Sequence, residues 1–291
     1  MSSDIMPMTE PRPRRQRSQG SGAADAALLF DEPGPRGRIL IAIGSVVAVI
    51  GIAALVAAVL YRLDLAGQLD YPKWRYFLGQ SVVSQLLEAA GTTLTLGGIA
   101  AVLTFPLGIA LGWLRLLDNR PIRWLVGLWI DAMRAVPMLL LVYFFLLVVP
   151  RFATVSDFWK LALPIVMCTS ATTAEVFRSG VRALDRGQTE AAWALGMSPS
   201  LTMRLILAPQ ALRLMLPTLI TQMVTIIKGT TLAYVLAYPE LMYRGSTMIG
   251  QAKIDAHLSV FFQTYVIIAV LYIIVNWSLG ALARYIESRT R

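Results

Sequence analysis

The stretch RALDRGQTEAAWALGMSPS, residues 182–200, forms the most polar internal loop of an otherwise apolar chain. Asp185 has the short acceptor side chain that favours the N-cap of a helix, and Gly196 suits the left-handed position that ends one. Ser198 followed by Pro199 is a typical N-cap and first-turn pair for a second helix. The stretch therefore predicts a helix, a glycine turn and another helix.

The first of these two helices presents very little side chain. Glu190 lies near its middle, and Ala191, Ala192 and Ala194 keep its surface thin. A thin helix can lie deep in a groove on another protein, so docking is one interpretation of the loop. The other is a surface hairpin that contacts nothing, and the residues of the loop alone leave both open.

The composition of the whole chain indicates an integral membrane protein. Of its 291 residues, 56% are hydrophobic and only 15% are charged, whereas soluble domains carry about 25% charged residues. The formal net charge of +9 fits basic cytoplasmic loops better than nucleic-acid binding. Cys168 and His257 are the only residues of their types, so we expect no intrachain disulfide and no metal site.

Apolar segments occur at six places, and about 20 residues are enough to cross the hydrocarbon core of a bilayer. Three of the segments contain charged residues, namely Asp131 and Arg134 in the third, Glu175 in the fourth and Lys228 in the fifth. The sequence therefore predicts an all-α, multi-pass membrane protein with about six spans, at residues 39–60, 89–114, 124–150, 161–177, 214–239 and 258–283.

Lysine and arginine are unevenly distributed over the segments between these spans. They are in excess on the side that carries both termini, which predicts that both termini and the 182–200 loop are cytoplasmic. We expect residues 1–38 to form a disordered basic cytoplasmic tail. Its arginines at positions 12–17 either contact anionic membrane lipid or only set the topology.

The loop contains a specific motif that reads Glu-Ala-Ala, three residues, Gly, nine residues and Ile-x-Leu-Pro. It resembles the cytoplasmic loop motif of the permeases of ABC importers, and the one departure is Ala208 at the Leu position. The resemblance implies that the loop is a coupling helix that enters a cleft of a cytoplasmic ATPase. The residues that it assigns to coupling are Glu190, Ala191, Ala192, Gly196, Ile206 and Pro209.

Other blocks, between residues 80 and 285, resemble the permeases for polar amino acids. They include TTLTLGGIAAVL (92–103), RAVPMLLLVYFF (134–145) and KGTTLAYVLAYPEL (228–241). The extra first span and DEPGPRGR (31–38) resemble the actinobacterial glutamate permeases more narrowly. The resemblance implies a type I ABC importer fold, MetI-like, in which an additional helix at 39–61 precedes a permease domain at 84–286 that contains the coupling loop 184–209.

ATP binding is expected in a partner and not in this chain. None of its lysines follows a glycine, so the phosphate loop of ATPases is missing and we expect no enzyme activity and no cofactor. The resemblance implies a dimeric ABC ATPase that binds ATP and magnesium, and a bacterial cell membrane location. It also implies an extracytoplasmic amino acid binding protein and a second permease subunit, either another copy of this chain or, as we expect, a different sister chain.

Ionisable groups within spans are candidates for function, because they are costly in the membrane unless they are paired or hydrated. Asp131 with Arg134 and Glu175 with Arg178 are each three residues apart, so each pair can also simply neutralise itself. Lys228 either contributes to an amino acid path or pairs with an acid across the bundle. The candidate path residues are Arg134, Glu175, Gln222, Lys228, Thr230 and Thr231.

Gly229 occupies a position where many relatives carry an acid after the lysine. The loss of a negative charge there favours an acidic substrate, with L-glutamate preferred and glutamine, aspartate or a basic amino acid as alternatives. An ATP-independent secondary carrier or channel would also tolerate polar groups within spans. Neither that class nor a membrane-embedded enzyme accounts for the motif from Glu190 to Pro209.

Overall fold

The computed structural model describes residues 34–290, which separate into two units at Ala66 and Gly67. Every regular element in this part of the chain is a helix, and it contains no strand. Most of the expected basic tail, 1–38, lies outside the described residues. Its last residues are the exception, because the first helix already begins at Pro35.

The first unit is one apolar helix, α1, from Pro35 to Leu65. It contains the predicted span 39–60, and its large apolar side chains, such as Ile41 and Val47, are exposed within the unit. A helix that is apolar on every side is stable in a lipid environment and not in water. The helix has the length and composition of a membrane span, and the additional N-terminal membrane helix stays a prediction.

The second unit contains ten α-helices between residues 67 and 290, together with three 3₁₀ turns and one π-helical turn. The 3₁₀ turns are Tyr76–Leu78, Val149–Arg151 and Thr230–Leu236, and the π-helical turn is Met203–Leu207. The helices are α2 (Tyr71–Arg75), α3 (Gln80–Leu114), α4 (Arg120–Ala135), α5 (Met138–Leu147), α6 (Asp157–Arg182), α7 (Arg186–Ala194), α8 (Pro199–Thr202), α9 (Ala208–Gly229), α10 (Leu241–Asp255) and α11 (Phe261–Thr290).

Four continuous helical segments within residues 34–290 are long and apolar enough to span a membrane, and the bent pair α4 and α5 adds a fifth if it is one span. The four are Arg36–Leu65, Gln80–Leu114, Pro199–Leu236 and Phe261–Leu282. The fourth expected span, 161–177, lies within α6, which is long enough but is not among these candidate spans. Its inner face carries buried Thr169, Ser170 and Thr173, so protein and not lipid surrounds much of this helix.

The most extensive helix contact of the second unit is between α3 and α6. Glycines at 108 and 112 face α6, and a Cβ atom added to Gly108 would lie 2.8 Å from the carbonyl oxygen of Ser170. One turn earlier, the hydroxyls of Thr104 and Thr169 are hydrogen-bonded at 2.8 Å. Small residues and interhelical hydrogen bonds are what hold helices together in lipid, where the hydrophobic effect between them is weak.

The predicted third span, 124–150, is not a straight helix. It is divided into α4 and a second helical part, Met138–Arg151, with a bend of 95° between them. Pro137 explains the break, because it lacks the N–H that a helix needs and restricts Val136 to an extended conformation. Val136 is indeed extended, with φ −77° and ψ 128°. The prediction of one continuous span was therefore wrong at this point.

Glu240 and Leu241, at the start of α10, join this helix to α11 and α3. Glu240 is fully buried and caps α10 by accepting from the backbone N–H of Tyr243 at 2.9 Å. The hydroxyl of Tyr272 on α11 donates to it at 2.8 Å, and the next residue, Leu241, donates its N–H to Thr93 on α3. Burial raises the pKa of Glu240 above its usual range, and the hydrogen bonds that it accepts partly offset this.

Candidate coupling surface and substrate path

The hairpin of α7 and α8 has the local structure that the sequence predicts. The carboxylate of Asp185 accepts from the N–H of Gly187 at 2.7 Å, and Ser198 caps α8. Between them Gly196 has φ +76°. The N–H of Gly196 donates to the carbonyl of Trp193 and that of Met197 to the carbonyl of Ala192, at 2.9 and 3.0 Å, which is the hydrogen-bond pattern of a Schellman turn.

Exposed apolar side chains surround Glu190 on the surface of this hairpin. Glu190 and Ala191 are exposed, whereas Ala192 is 1% exposed and faces the interior. The large side chains that surround them on the surface are Trp193, Leu195, Leu201 and Leu205, and Leu195 is 82% exposed. Clustered exposed apolar side chains beside a helix with little side chain are typical of a protein interface. The thin surface that the sequence predicts is thus extended by an apolar patch.

The second half of the motif lies where the hairpin joins α9. Ile206 is half-buried in the π-helical turn Met203–Leu207, and Pro209 lies in the first turn of α9. The amide of Gln210 on α9 donates to that of Gln188 on α7 at 3.3 Å. The motif therefore spans a continuous connection from the exposed hairpin to a helix that runs into the bundle. Sequence analysis missed the π-helical turn, because no residue type marks it.

A cluster of five charged side chains lies where α3, α4 and α6 meet. Glu175 forms ion pairs with Arg178, at 2.7 Å, with Arg115, and with Arg134 at 3.9 Å. Asp131 pairs with Arg115 at 3.1 Å. The Glu175–Arg178 pair therefore forms as the spacing allows. Asp131 and Arg134 do not pair with each other, because Asp131 pairs with Arg115 and Arg134 with Glu175.

Arg115 is the member of this cluster that sequence analysis missed. It directly follows the predicted span 89–114. Its guanidinium reaches Asp131 on α4 and Glu175 on α6, and only the packing of the three helices brings these acids together. An arginine next to the end of a span is a candidate for such an interfacial pair, and this position was the one available signal.

Glu175 contributes more to stability than Asp131 does, because the side chain of Glu175 is 15% exposed and that of Asp131 is 59% exposed. We expect Glu175→Gln to lower the free energy of unfolding by about 2 kcal/mol, since three guanidinium groups lose their shared partner. The matched change Asp131→Asn should cost no more than about 0.5 kcal/mol. Thermal unfolding of both variants in detergent measures the difference, and equal losses would contradict it.

Two of the six candidate path residues share a cavity. Arg134 and Glu175 lie in a cavity of about 480 Å³ that Thr172, Ser179 and Thr218 also line. A cation, an anion and three hydroxyls in one cavity offer binding groups for both ends of a zwitterion. Sequence analysis placed the first two residues in a path, and the hydroxyl-bearing residues around them were not anticipated.

The other four candidates lie at the end of α9 and in the following 3₁₀ turn. Lys228 is exposed and forms no ion pair with any residue between 34 and 290, so it does not pair with Glu175 or Asp131. Gln222 is half-buried. Thr230 is fully buried and donates to the carbonyl of Ile227, and Thr231 donates to that of Lys228, at 2.7 and 2.8 Å.

Gly229 has room for a side chain. A Cβ atom added there would lie 3.5 Å from the sulfur of Met138 and 3.9 Å from Cγ1 of Ile165, which are ordinary contact distances. A small polar residue therefore fits beside Lys228 without strain. No group of three or more His, Cys, Asp or Glu side chains that could bind a metal ion occurs within the described range.

Comparison with known proteins gives concordant results. Residues 104–291 match the family described as "Binding-protein-dependent transport system inner membrane component". The chain is 34% identical to the glutamate transport system permease protein GluD of Corynebacterium glutamicum, over 77% of this chain and 82% of that protein. It is 33% identical to the probable glutamine ABC transporter permease protein GlnP of Bacillus subtilis, over 68% and 89%.

A solved structure described as an amino acid ABC transporter with histidines has the same fold. It aligns with a TM-score of 0.65 and 23% identity, and the alignment covers 72% of this chain and 95% of that one. The all-α fold that the sequence predicts is therefore confirmed.

Proposed function

Because the chain belongs to the family of binding-protein-dependent transport system inner membrane components, we propose that it is the permease subunit of an ATP-driven amino acid importer. The observation that carries this proposal is the exposed hairpin of α7 and α8, which ends in a Schellman turn at Gly196 and carries Glu190 on its surface. A hairpin with this shape suits the groove of a partner protein.

The partner that we propose for the hairpin is a dimeric cytoplasmic ABC ATPase, which binds and hydrolyses ATP with magnesium. Closure of that dimer would draw the hairpins of two permease subunits together. The π-helical turn and α9 then transmit the movement to the bundle, because Ile206 and Pro209 connect the hairpin to α9 without an intervening loop. ATP can shift the bundle between two states only if it binds more tightly to the complex in one state than in the other.

Two permease subunits are required if each half of the ATPase dimer receives one hairpin. We propose that the second subunit is a sister chain and that an extracytoplasmic binding protein delivers the amino acid. Both termini are cytoplasmic in this arrangement, in agreement with the excess of lysine and arginine on that side. The additional helix α1 would then enter the membrane from the cytoplasm, ahead of the permease domain.

The substrate that we propose is an acidic amino acid, with L-glutamate preferred. Arg134, in the cavity that it shares with Glu175, and the unpaired ammonium group of Lys228 would attract its carboxylates at separate points of the path, to which Gln222 and Thr231 also belong. Thr230 stabilises the backbone of this segment, because its buried hydroxyl donates to the carbonyl of Ile227. The similarity to a glutamate permease protein at 34% identity supports the same choice.

Gly229→Asp tests the substrate class. We expect the ratio of arginine uptake to glutamate uptake to rise about tenfold, because a carboxylate beside Lys228 repels an acidic substrate and attracts a basic one. The contacts at Gly229 leave room for the new side chain. Competition between labelled glutamate and labelled arginine in proteoliposomes that contain the complete transporter measures the ratio.

Gly229→Asn is the matched control, since asparagine has the size of aspartate without its charge. It should leave the ratio near that of the original chain. An unchanged ratio in Gly229→Asp, or the same shift in both variants, would contradict the electrostatic explanation. Arginine preferred by the original chain would contradict the proposed substrate.

Co-purification tests the function itself. The tagged chain is solubilised from its native membrane in mild detergent, and mass spectrometry identifies the proteins that remain bound. We expect an ABC ATPase and a second permease subunit. A chain that purifies alone and transports amino acids in liposomes without ATP would instead be a secondary carrier.

A further inference from the structure

A second cavity, of about 380 Å³, lies between α4 and the final turns of α6, separate from the cavity of Arg134 and Glu175 described above. Its walls combine guanidinium groups with apolar side chains. Four arginines, one acid and two large apolar side chains line it, namely Arg115, Arg123, Arg178, Arg182, Asp131, Trp124 and Leu128. Gly127 lines the cavity beside one of the cations, and a Cβ atom added there would make an ordinary contact with the guanidinium of Arg115, at 3.6 Å.

Two of these four arginines are not neutralised. Arg115 and Arg178 form ion pairs with the acids of the charged cluster. Neither Arg123 nor Arg182 forms an ion pair with any residue from 34 to 290. The cavity therefore has an excess of positive charge, in a position where its guanidinium groups can act together on one anion.

An exposed apolar stripe on α4 continues from this cavity. It consists of Trp124, Leu125, Leu128 and Trp129, which are 66%, 59%, 56% and 42% exposed. Their spacing places them on one side of the helix. Trp124 and Leu128 belong both to the stripe and to the cavity wall, so the polar and apolar surfaces are continuous.

The orientation of α4 explains why both surfaces occur together. The helix that follows α4 leaves it at 95°, so α4 lies along the membrane surface if that helix enters the bilayer. On its inner side Ile130 packs against Ala171 and Ala174 of α6. A helix with tryptophan and leucine on one side and arginines beside them has the composition of an interfacial helix.

We propose that this cavity binds the phosphate headgroup of an anionic phospholipid, whose acyl chains lie against the stripe of α4. The headgroup phosphate would accept hydrogen bonds from Arg123 and Arg182. Free phosphate could use the same arginines, but it would leave the four apolar side chains of the stripe exposed. The lipid satisfies both surfaces, and the site does not depend on which amino acid is transported.

Native mass spectrometry of the complete transporter tests this site. The purified complex is exchanged into detergent with equal amounts of phosphatidylglycerol and phosphatidylcholine, and the retained lipids are counted. We expect phosphatidylglycerol to be preferred. The double variant Arg123→Gln and Arg182→Gln should reduce this preference on the order of tenfold, since each cation near the surface contributes to the attraction of an anionic lipid.

Two further variants separate the site from a general effect of charge or folding. Arg123→Lys with Arg182→Lys keeps both charges and should retain most of the preference. Arg75→Gln with Arg151→Gln removes two exposed charges that lie outside both the cavity and the hairpin, and it should retain the lipid fully. A preference that is absent in the original complex, or equal in all variants, would overturn the proposal.

Addition of inorganic phosphate distinguishes the two sources of the anion. If the cavity holds a lipid, millimolar phosphate leaves phosphatidylglycerol in place, because phosphate gains nothing from the stripe. Displacement of the lipid at that concentration would show a site for a soluble anion and would overturn the lipid assignment. Neither result affects the proposed transport function, which the co-purification experiment tests separately.

Discussion

Glu190→Lys is expected to abolish ATP-driven uptake while the chain remains folded in the membrane. The side chain of Glu190 is exposed on α7 and forms no hydrogen bond or ion pair within residues 34–290. Reversal of its charge therefore removes nothing from the fold. At the centre of an interface with the ATPase, the loss of such a residue costs about 3 kcal/mol, which corresponds to about a hundredfold loss of coupling.

The measurement is glutamate uptake and glutamate-stimulated ATP hydrolysis by the reconstituted transporter. Asp64→Lys is the control, because it makes the same charge reversal at an exposed acid in the first unit. It should leave both rates near those of the original complex. Normal rates with Glu190→Lys would contradict the proposal that this hairpin docks on the ATPase.

Gly108→Val is expected to prevent accumulation of folded protein. The added Cβ atom would lie 2.5 Å from Cβ of Thr173 and 2.8 Å from the carbonyl oxygen of Ser170. The backbone of α6 cannot move away without also separating the hydrogen-bonded Thr104 and Thr169. We expect a loss of about 3 kcal/mol or more, which is the upper range for overpacking in a close helix contact.

Gly98→Val provides the matched control in the same helix, since nothing lies within 4 Å of a Cβ atom at Gly98. The yield of monodisperse protein in detergent and its thermal unfolding temperature compare the two variants. Helix propensity changes equally in both, so only the contact with α6 differs. Equal yields and equal unfolding temperatures would show that α3 and α6 do not pack as described.

Local signals account for the structure of the hairpin, which the sequence predicted correctly. Asp185, Gly196 and Ser198 act on backbone groups within a few residues of themselves, so their roles follow from side-chain chemistry and chain geometry. Pro137 carried an equally local signal. It lies at the 95° bend between α4 and α5. The prediction of one span over 124–150 relied on hydropathy and did not use this proline.

Local sequence signals could not predict the contacts between helices. The spacing of Asp131 and Arg134 predicts a pair on one helix, yet Arg115 competes for the acid from α3. The sequence predicts Thr230 as a path residue near Lys228. In the structure its hydroxyl is buried and donates to the carbonyl of Ile227 on α9. Each of these outcomes depends on which side chains the packed helices bring within reach.

The sequence by itself determined that this chain is an apolar helical protein with an exposed helix, glycine turn and helix between residues 182 and 200. Hydropathy and capping act over one span or one turn, and such signals are complete in the local sequence. Only the tertiary structure decided that Arg134 and Glu175 share a cavity and that Arg123 and Arg182 remain unpaired. Ion pairs and cavities form between residues that are distant in the chain, so their energies depend on the packed arrangement of α3, α4 and α6.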